Sequence, residues 1–498
     1  MTLTTGTASP LRHPDKFYIA GKWVAPSTNA TFDVIEAATE ELFVRVAEAK
    51  EADLQHAVTA ARDAFDNGPW PRMIHAQRAE YLRAFATAVT ERLDEFAQIW
   101  SRESGVLYPM AQHSLMDVPA TFNRYADMAT SYPFEKQVQP TPGTIPCGNF
   151  GLLVHEPVGV VGAIIPWNSP LILIATKMSP ALLAGCTVVL KSSPEAPGAA
   201  YLMAEIAEQI GLPAGVLNIV TADREVSELL VRDSRVDKIT FTGSTAAGRA
   251  IGAIMGGRVG RCTLELGGKS AAVILDDADI VGAAAHLAGA QCFLSGQVCA
   301  GLTRIVVPES RHDEIVEAIA VYFSGVRLGD PFDPSSHMGP VATQRQRDRV
   351  EGYIAKGVDE GAKLVTGGGR PSYLARGWFV EPTLFAAVDN SSTIAQEEIF
   401  GPVLSVIPAR NDAEAIELAN DTIYGLNSAV FTQDIDRARA VAAQMKAGTV
   451  GHNALRVDFG IAFGGFKQSG IGREGGVEGL LPYLETKTII LDGPPSGY

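Results

Sequence analysis

The sequence contains few cysteines, and none of them stands in a spacing that commonly holds a metal. Its five cysteines include no CxxC pair, and its nine histidines show no HxH or HExxH spacing. An odd, small number of cysteines in a chain of 498 residues argues against a disulfide framework and a structural zinc site. We therefore expect no bound metal, and the cysteine content favours a reducing compartment such as the cytoplasm.

Positive charge is scarce as well. The chain has 41 Lys and Arg against 56 Asp and Glu, for a net charge of -15. Because nucleic acids and anionic membranes bind basic surfaces, neither is expected as a partner. Met1–Pro14 has no cationic start followed by an apolar run, so we expect no signal peptide. The most apolar stretch, residues 158–190, is interrupted by Pro166, Lys177 and Pro180, and no uncharged run of about 18 residues is left to span a membrane.

What is present is the composition of a globular protein, with 46% hydrophobic and 19% charged residues, and a length that predicts two or more domains. From residue 158 onward, short apolar runs alternate with helical stretches. The predicted strands are 158–165, 187–191, 216–220 and 238–241, and the predicted helices are 171–183, 198–210, 224–231 and one from about 245. Continuous apolar strands are typical of a parallel sheet buried on both faces, so the pattern predicts a doubly wound α/β domain.

A second alternating series begins near residue 271. Its predicted strands are 271–275, 303–307, 403–407 and 427–431, and its predicted helices are 279–291, 313–323, 413–419 and 435–445. This predicts a second α/β domain, with a cleft between the two, and such clefts are common ligand sites. Residues 132–153 and the apolar tail 483–491 fit neither series. A lone edge strand needs a partner, so we expect these two segments to pair, also across subunits.

Three residues together indicate covalent catalysis. Cys299 lies among small residues in Ser295–Gly301, and Glu265 lies between leucines and ahead of two glycines. Asn168 follows Pro166 and Trp167 at the end of a predicted strand. Taken alone, each is better explained by a structural role: a buried cysteine, a surface charge and an ordinary turn, respectively. Combined, they supply a nucleophile, a base for water and an amide donor for an oxyanion.

Three other segments could hold a nucleotide, and a fourth, the glycine-rich loop 463–470, is consistent with close approach of chain segments. Residues 241–248 follow a strand and open a helix, where free N–H groups can bind a phosphate. Their GxxxxG pattern lacks Gly-Lys-Thr, which excludes a P-loop NTPase. Lys191 ends a predicted parallel strand, the place where open α/β sheets bind ligands. Residues 397–403 place an acid and an aromatic before a Gly-Pro turn. Alone, each is equally typical of a tight turn, a solvated lysine or a core aromatic.

In this order, the motifs resemble the NAD(P)-dependent aldehyde dehydrogenase superfamily. The resemblance runs from Ile19-Ala20-Gly21-Lys22-Trp23 to the C-terminal strand and rests on the following segments. They are Pro166-Trp167-Asn168, Phe241-Thr242-Gly243-Ser244, Glu265-Leu266-Gly267-Gly268-Lys269, Gly296-Gln297-Val298-Cys299, Glu398-Ile399-Phe400-Gly401-Pro402 and Phe463-Gly464-Gly465-Phe466-Lys467. The separation of Glu265 from Cys299 agrees with the family.

The resemblance implies a role for each matching position. Cys299 would be the nucleophile, Glu265 the base for deacylation, Asn168 the oxyanion donor, and Lys177 a lysine kept near the active site. The implied cofactor-binding residues are Ile164, Pro166, Trp167, Lys191, Gly243, Ser244, Glu265, Gly267, Gln346, Glu398 and Phe400. The implied fold has a Rossmann-like cofactor domain (1–125 and 150–263), a catalytic α/β domain (264–475) and a small β arm for oligomerisation (126–149 and 476–498). A homodimer or homotetramer is implied.

The implied reaction oxidises a small aldehyde to its acid with NAD, NADP being possible, through a thioester on Cys299. Many NAD-preferring members carry a glutamate three residues after the lysine, where this chain has Pro194. We therefore expect NADP to be tolerated more than in those members.

Three alternatives stay open at this stage. A dehydrogenase that acylates coenzyme A is disfavoured by Glu265, because such relatives often lack the water-activating acid. A cofactor-independent thiol esterase is disfavoured by Lys191 and Ser244, and a non-catalytic descendant by the intact set of Cys299, Glu265 and Asn168.

The residues around Cys299 and Asn168 also predict the shape of the acyl pocket. Helical spacing from Asn168 places Leu173 and Thr176 on one side of the following helix. Val298, Ala300 and Phe463 should complete a wide, apolar pocket, whereas Arg456 at its mouth would instead favour a carboxylate. We further expect Cys292 to be an inert core residue.

Overall fold

The computed structural model describes residues 11–142 and 148–496, so Cys147 and the first ten residues of the polar N-terminal segment lie outside the described residues. The strands are β1 (Phe17–Ile19), β2 (Lys22–Val24), β3 (Thr31–Ile35), β4 (Leu42–Ala47), β5 (Glu135–Val138), β6 (Phe150–Pro157), β7 (Val160–Ile164), β8 (Thr187–Ser192), β9 (Leu217–Thr221), β10 (Lys238–Thr242), β11 (Arg261–Glu265), β12 (Ala271–Ile274), β13 (Arg304–Pro308), β14 (Lys363–Thr366), β15 (Thr383–Ala386), β16 (Val403–Ala409), β17 (Asn427–Phe431), β18 (Thr449–His452), β19 (Gly470–Ile471) and β20 (Leu484–Leu491).

Most of the helices lie between these strands. They are α1 (Glu51–Asp66), α2 (His75–Glu91), α3 (Leu93–Ser104), α4 (Tyr108–Leu115), α5 (Val118–Ser131), α6 (Pro170–Ala184), α7 (Gly198–Gln209), α8 (Arg224–Arg232), α9 (Thr245–Gly257), α10 (Ile280–Cys292), α11 (His312–Ser324), α12 (Gln344–Asp359), α13 (Thr393–Gln396), α14 (Asp412–Asn420), α15 (Ile435–Ala442) and α16 (Gly476–Leu480). The strand and helix series predicted from residue 158 onward corresponds to β7–α9 and β12–α15.

An eight-stranded sheet forms the first half of the fold, in the order β19-β11-β10-β7-β8-β9-β1-β2. Strands β7 to β11 are mutually parallel where they pair, and β1, β2 and β19 run antiparallel at the edges. Alternate residues of one strand pack into different clusters: Val188 and Leu190 join one core, and Val189 joins another. Because successive side chains of a strand point to opposite faces, the sheet is buried on both sides, as its apolar runs predict.

A seven-stranded sheet forms the second half, in the order β14-β15-β16-β13-β12-β17-β18, and only β14 runs antiparallel to its neighbour. Ala272 and Ile274 pack on one face, and Ala271 and Val273 pack on the other. The predicted mixed α/β architecture, with a Rossmann-like sheet and a second α/β sheet, is confirmed.

A three-stranded antiparallel sheet, in the order β20-β6-β5, stands apart from both. The tail pairs along its whole length with β6, from Leu484 opposite Pro157 to Leu491 opposite Phe150. The predicted pairing of the tail with the segment around residues 132–153 is therefore confirmed within the chain. The central strand β6 lies beyond residue 149, the upper bound that the sequence analysis gave to this arm. Among the described residues, no helix is both long and apolar enough to cross a membrane.

Candidate active site

A cavity of about 950 Å³ lies between the two large sheets and contains most of the predicted site residues. The residues that line it include Pro166, Trp167, Asn168, Gly243, Ser244, Glu265, Gly267, Cys299, Gln346, Glu398 and Phe400. Glu265 reaches it because β11 ends there, and Cys299 reaches it from the loop before β13. Ile164 and Lys191 line a second cavity, and Lys177 lies below the first, behind Glu474.

The loop before the thiol is held in an unusual backbone conformation. Leu294, Ser295 and Gly296 all have positive φ, at 49°, 54° and 72°. Non-glycine residues in this region cost about 1–3 kcal/mol each and persist only where the surroundings enforce them. Here the Ser295 hydroxyl donates to the carbonyl of Gly339 (2.7 Å), and the Gln297 side-chain oxygen accepts from the N–H of Ala342 (2.9 Å). These bonds fix the chain two residues ahead of Cys299.

Cys299 itself is only partly buried, whereas Cys292 is packed in an apolar core, as predicted for each. Burial raises the pKa of the Cys299 thiol to about 12, and the carboxylates of Glu398 and Glu265 add to the shift. The resting residue is therefore a neutral thiol near pH 7. A base must remove its proton before the sulfur can act as a nucleophile.

The turn that carries Asn168 is fixed from behind by α3. The indole N–H of Trp100 donates to the Asn168 carbonyl (2.7 Å), and the Ser104 hydroxyl donates to the Trp167 carbonyl (2.7 Å). The Asn168 amide Nδ2 donates to the carbonyl of Gln297 (3.1 Å), in the thiol loop. Since an amide nitrogen carries two N–H groups, one is left to serve a ligand in the cavity.

Glu265 is 3% exposed, and neither of its carboxylate oxygens has a hydrogen-bond partner among the described residues. Burial raises its pKa well above the usual range and the nearby Glu474 raises it further, while Lys177 and Arg473 act in the opposite direction. A Cβ on Gly464 would lie 2.6 Å from Glu265 Oε1, so a glycine there leaves the carboxyl its space. The environment that the sequence predicted for Glu265 is confirmed.

Below Glu265, Lys177 forms a buried ion pair with Glu474, their side chains being 0% and 3% exposed. One Glu474 oxygen, Oε2, has no hydrogen-bond partner among the described residues. Buried charges of this kind are retained when they are paired. Lys177, Glu474 and Glu265 thus form one buried ionisable cluster that opens on the cavity.

Glu398 approaches the loop that follows Glu265. Its Oε1 accepts from the N–H of Gly268 (3.0 Å), and a Cβ on Gly267 would lie 2.4 Å from its Oε2. Only glycine at 267 permits this approach. Burial raises the pKa of Glu398 to about 7, against the opposite effect of the Gly268 N–H and of nearby cations.

The chain after Glu398 is held by a helix side chain. Phe400 has a φ of 62°, in the left-handed region. Gln346 Nε2 donates to the carbonyls of Phe400 (2.7 Å) and Ile399 (3.2 Å). The Phe400 ring meets the Trp167 ring edge-on, with centroids 5.5 Å apart. Gln346 therefore positions this loop in addition to lining the cavity.

The second cavity, of about 590 Å³, adjoins the carboxyl ends of β7, β8 and β10. Ile164 and Lys191 line it, and Arg345 lines both cavities. Helix α9 begins nearby at Ser244, whose hydroxyl accepts from the Ala247 N–H (3.3 Å). A helix N-terminus beside a lysine is a place where anionic groups bind.

The remaining walls of the first cavity are mainly apolar, and we call this side of it the acyl pocket. It is lined by His113, Ser114, Ile172, Leu173, Phe293, Val298, Leu455, Val457, Phe459 and Phe463. The prediction was right for Leu173, Val298 and Phe463, and for Ala300, which also lines this cavity. It was wrong for Thr176, which is buried and donates its hydroxyl to the Ile172 carbonyl (2.8 Å). Arg456 is exposed and is not among the residues that line the pocket.

Sequence reasoning missed Trp100, Arg345 and Glu474. Trp100 and Arg345 lie in ordinary amphipathic helices, and Glu474 meets Lys177 across 297 positions of sequence. No local pattern marks such partners. In the part of the chain that the structure describes, no group of three or more His, Cys, Asp or Glu residues is placed to hold a metal.

Comparison with known proteins gives the class that this fold and site define. The family model described as "Aldehyde dehydrogenase family" matches residues 23–489. The geranial dehydrogenase of Castellaniella defragrans is 43% identical, over 96% of this chain and 98% of that protein. The 3-succinoylsemialdehyde-pyridine dehydrogenase of a Pseudomonas species is 41% identical, over 96% and 99%.

Solved structures agree. An aldehyde dehydrogenase of Mycobacterium tuberculosis in complex with NAD+ matches with a TM-score of 0.92 at 44% identity, covering 97% of this chain and 99% of that one. An aldehyde dehydrogenase C mutant of Pseudomonas syringae in complex with NAD+ and octanal matches with a TM-score of 0.92 at 38% identity, covering 97% and 98%. The chain belongs to the aldehyde dehydrogenase family, and it oxidises aldehydes to carboxylic acids with a nicotinamide cofactor.

Proposed function

We propose that this enzyme oxidises an uncharged aldehyde with a medium-length or branched apolar chain. The observation that carries the proposal is the apolar lining of the acyl pocket in front of Cys299. The charged residues that line the whole cavity are Glu265, Arg345, Arg349, Glu398 and Glu474, which we assign to its base and cofactor sides. The acyl pocket as defined above contains none of them, so a charged substrate tail there would lose its hydration without gaining a partner. The names of two relatives, which give geranial and octanal as substrate or ligand, support this class.

In the first half of the proposed reaction, Cys299 is the nucleophile. Its sulfur adds to the aldehyde carbon, and the carbonyl oxygen becomes an oxyanion that accepts from the free N–H of Asn168. Glu265 and Glu398 lie near enough to raise the pKa of the thiol. We assign the loss of the thiol proton to solvent in the cavity and keep Glu265 for the second half of the reaction.

The residues fit a bound dinucleotide. Lys191 and the α9 N-terminus, with Gly243 and Ser244, would hold the ribose and phosphates. Glu398 would accept from the hydroxyls of the second ribose, while Phe400 and Trp167 flank the cavity. NAD, or NADP, supplies the hydride acceptor when bound. Loss of hydride from the substrate carbon converts the thiohemiacetal into a thioester on Cys299.

In the second half, Glu265 activates water. The water adds to the thioester carbon, the C–S bond breaks, and the acid leaves with the Cys299 thiol restored. The proton taken by Glu265 returns to the Cys299 sulfur, and the charges of the Lys177–Glu474 pair act on the pKa of Glu265. Lys177 is thus a positioning residue that acts through Glu265.

Two other functions are less well supported. Acyl transfer to coenzyme A would not need the buried Glu265 carboxyl, and a cofactor-independent thiol esterase would not need the 590 Å³ cavity beside Lys191. We propose the domain boundaries 1–125 with 150–263, 264–475, and 126–149 with 476–498, except that β6 (Phe150–Pro157) belongs with the last pair of segments, because it is the central strand of the small sheet.

We further propose a cytoplasmic homodimer or homotetramer. The outer strands β5 and β20 of the small sheet each leave one edge for pairing with another copy, and Ile490 on β20 is 53% exposed.

The test is a substrate panel followed at the absorbance of the reduced cofactor. Each buried CH₂ contributes about 0.8 kcal/mol, so kcat/KM should rise about fourfold per carbon over a series of straight-chain aldehydes. Geranial should be oxidised well and succinic semialdehyde poorly. A maximum at two or three carbons would exclude the apolar pocket. Added coenzyme A should leave the product a free acid. Hydrolysis of an ester without cofactor, together with no oxidation of any aldehyde with NAD or NADP, would favour the esterase.

A further inference from the structure

An ion pair crosses the mouth of the cofactor cleft. Arg345 Nη2, on the first turn of α12, lies 2.7 Å from Glu195 Oε1, in the loop that follows β8. Helix α12 belongs to the half of the fold built on the seven-stranded sheet, and β8 belongs to the eight-stranded sheet. The Arg345 side chain is 78% exposed and that of Glu195 only 23%. Both residues line the cavity that contains Lys191, and Arg345 also lines the cavity of Cys299.

The sequence predicts no carboxylate beside Lys191, because Pro194 stands at the usual position, but Glu195 supplies one. Pro194 stands where a glutamate is common in NAD-preferring relatives, but Glu195, one residue later, faces the same cavity as Lys191. Burial raises the pKa of Glu195, yet hydrogen bonds from Ser193 and Arg345 outweigh it and hold the pKa below its usual value. Glu195 is therefore ionised at neutral pH.

The charge of Glu195 acts on Lys191. Burial lowers the pKa of Lys191 to about 8, and the Glu195 and Asp223 carboxylates oppose that shift. A group that binds beside the Lys191 ammonium consequently also feels Glu195. The Arg345 guanidinium, being exposed and held by one partner, is free to turn toward an anion in the same cavity.

We propose that Glu195 sets the preference of this enzyme for NAD over NADP and that Arg345 limits that preference. The proposal rests on the proposed binding of the adenosine ribose beside Lys191. A 2′-phosphate adds about -1.5 to -2 charges at pH 7, which the Glu195 carboxylate repels. The planar guanidinium of Arg345 is suited to bind the same phosphate through two parallel N–H groups. The two residues thus act on NADP with opposite sign.

The experiment compares Glu195→Gln and Arg345→Met with the wild-type enzyme. We expect Glu195→Gln to raise kcat/KM for NADP about tenfold, and Arg345→Met to lower it about tenfold, while the value for NAD changes less than about threefold. Dissociation constants of NAD and NADP without aldehyde, from quenching of tryptophan fluorescence, should follow the same directions. Glu351→Gln is the matched control, because Glu351 lies on the same helix and pairs with Arg370 on the surface; it should leave the NAD-to-NADP ratio unchanged.

A ratio that stays within about twofold in both variants would overturn the proposal, as would equal changes for both cofactors, which indicate only a loosened cleft. Melting temperatures identify a variant that fails to fold, and Glu195→Ala then replaces Glu195→Gln. Lys191→Met distinguishes a failure of this inference from a failure of the proposed cofactor site. If Lys191→Met weakens the binding of both cofactors about tenfold, while the NAD-to-NADP ratio is unchanged in the Glu195 and Arg345 variants, the ribose site is supported and this inference fails. If it weakens neither, the proposed cofactor site itself is wrong.

Discussion

Removal of the Asn168 amide is the perturbation whose effect the structure defines most directly. One Nδ2 hydrogen donates to the Gln297 carbonyl at 3.1 Å, which orients the group and leaves the second hydrogen for the oxyanion. Asn168→Ala removes both donors. Asn168→Asp keeps the shape of the side chain, but an ionised carboxylate only accepts hydrogen bonds and would face the Gln297 carbonyl as well as the oxyanion.

Loss of one oxyanion donor typically costs about 2.7–4 kcal/mol, or about 10²–10³ in kcat. We expect Asn168→Ala near the lower end of this range. Asn168→Asp should lie at or beyond the upper end, because repulsion is added to the lost bond. Both variants leave the buried Gln297 carbonyl without its side-chain donor, which costs about 1–3 kcal/mol of folding free energy.

The assay is stopped-flow absorbance of the reduced cofactor at saturating NAD. The rate of the first turnover should fall by the factors above, whereas the dissociation constant for NAD should stay close to that of the wild type. Trp100→Phe is the companion variant. This variant removes the indole N–H that donates to the Asn168 carbonyl at 2.7 Å but keeps the Asn168 amide. The rate of the first turnover should therefore fall about tenfold or less. A first-turnover rate for Asn168→Ala within about threefold of the wild type would refute the assignment of Asn168 as an oxyanion donor.

Three further predictions concern the thiol and its base. Cys299→Ala should abolish oxidation and keep cofactor binding, while Cys292→Ala, in the core, should change kcat little; oxidation by the first variant at the wild-type rate would exclude Cys299 as the nucleophile. Glu265→Gln should release about one equivalent of reduced cofactor per site in a burst and then stall, with an acyl adduct on Cys299 that mass spectrometry detects. Absence of the burst would mean that Glu265 is needed before hydride transfer. Because the pKa of the resting Cys299 thiol is raised to about 12, the fraction of thiolate should rise about tenfold per pH unit. The rate of alkylation by iodoacetamide without cofactor should therefore keep rising from pH 7 to pH 10. A plateau near pH 8 would contradict the raised pKa.

The sequence by itself determined the two α/β series and the chemistry of the site. Apolar runs such as residues 188–190 are local, and a strand buried on both faces is apolar at successive positions, so the parallel sheets could be predicted. Cys299, Glu265 and Asn168 could be predicted because each lies in a short motif whose neighbours are turn-forming or small residues.

The tertiary structure alone decided what surrounds these residues. The pKa values of Cys299 and Glu265 depend on burial and on charges from distant segments, which no local pattern carries. Helical spacing predicted that Thr176 lines the acyl pocket, but spacing gives only the side of the helix on which a residue lies. The packing of α6 places the Thr176 side chain in the core instead. Glu195 shows the same limit. Because it lies one residue after the usual glutamate position, the sequence suggested that the carboxylate was missing, yet in the structure Glu195 lines the same cavity as Lys191. Contacts between segments far apart in sequence are fixed by how the sheets pack, and packing is a property of the whole chain.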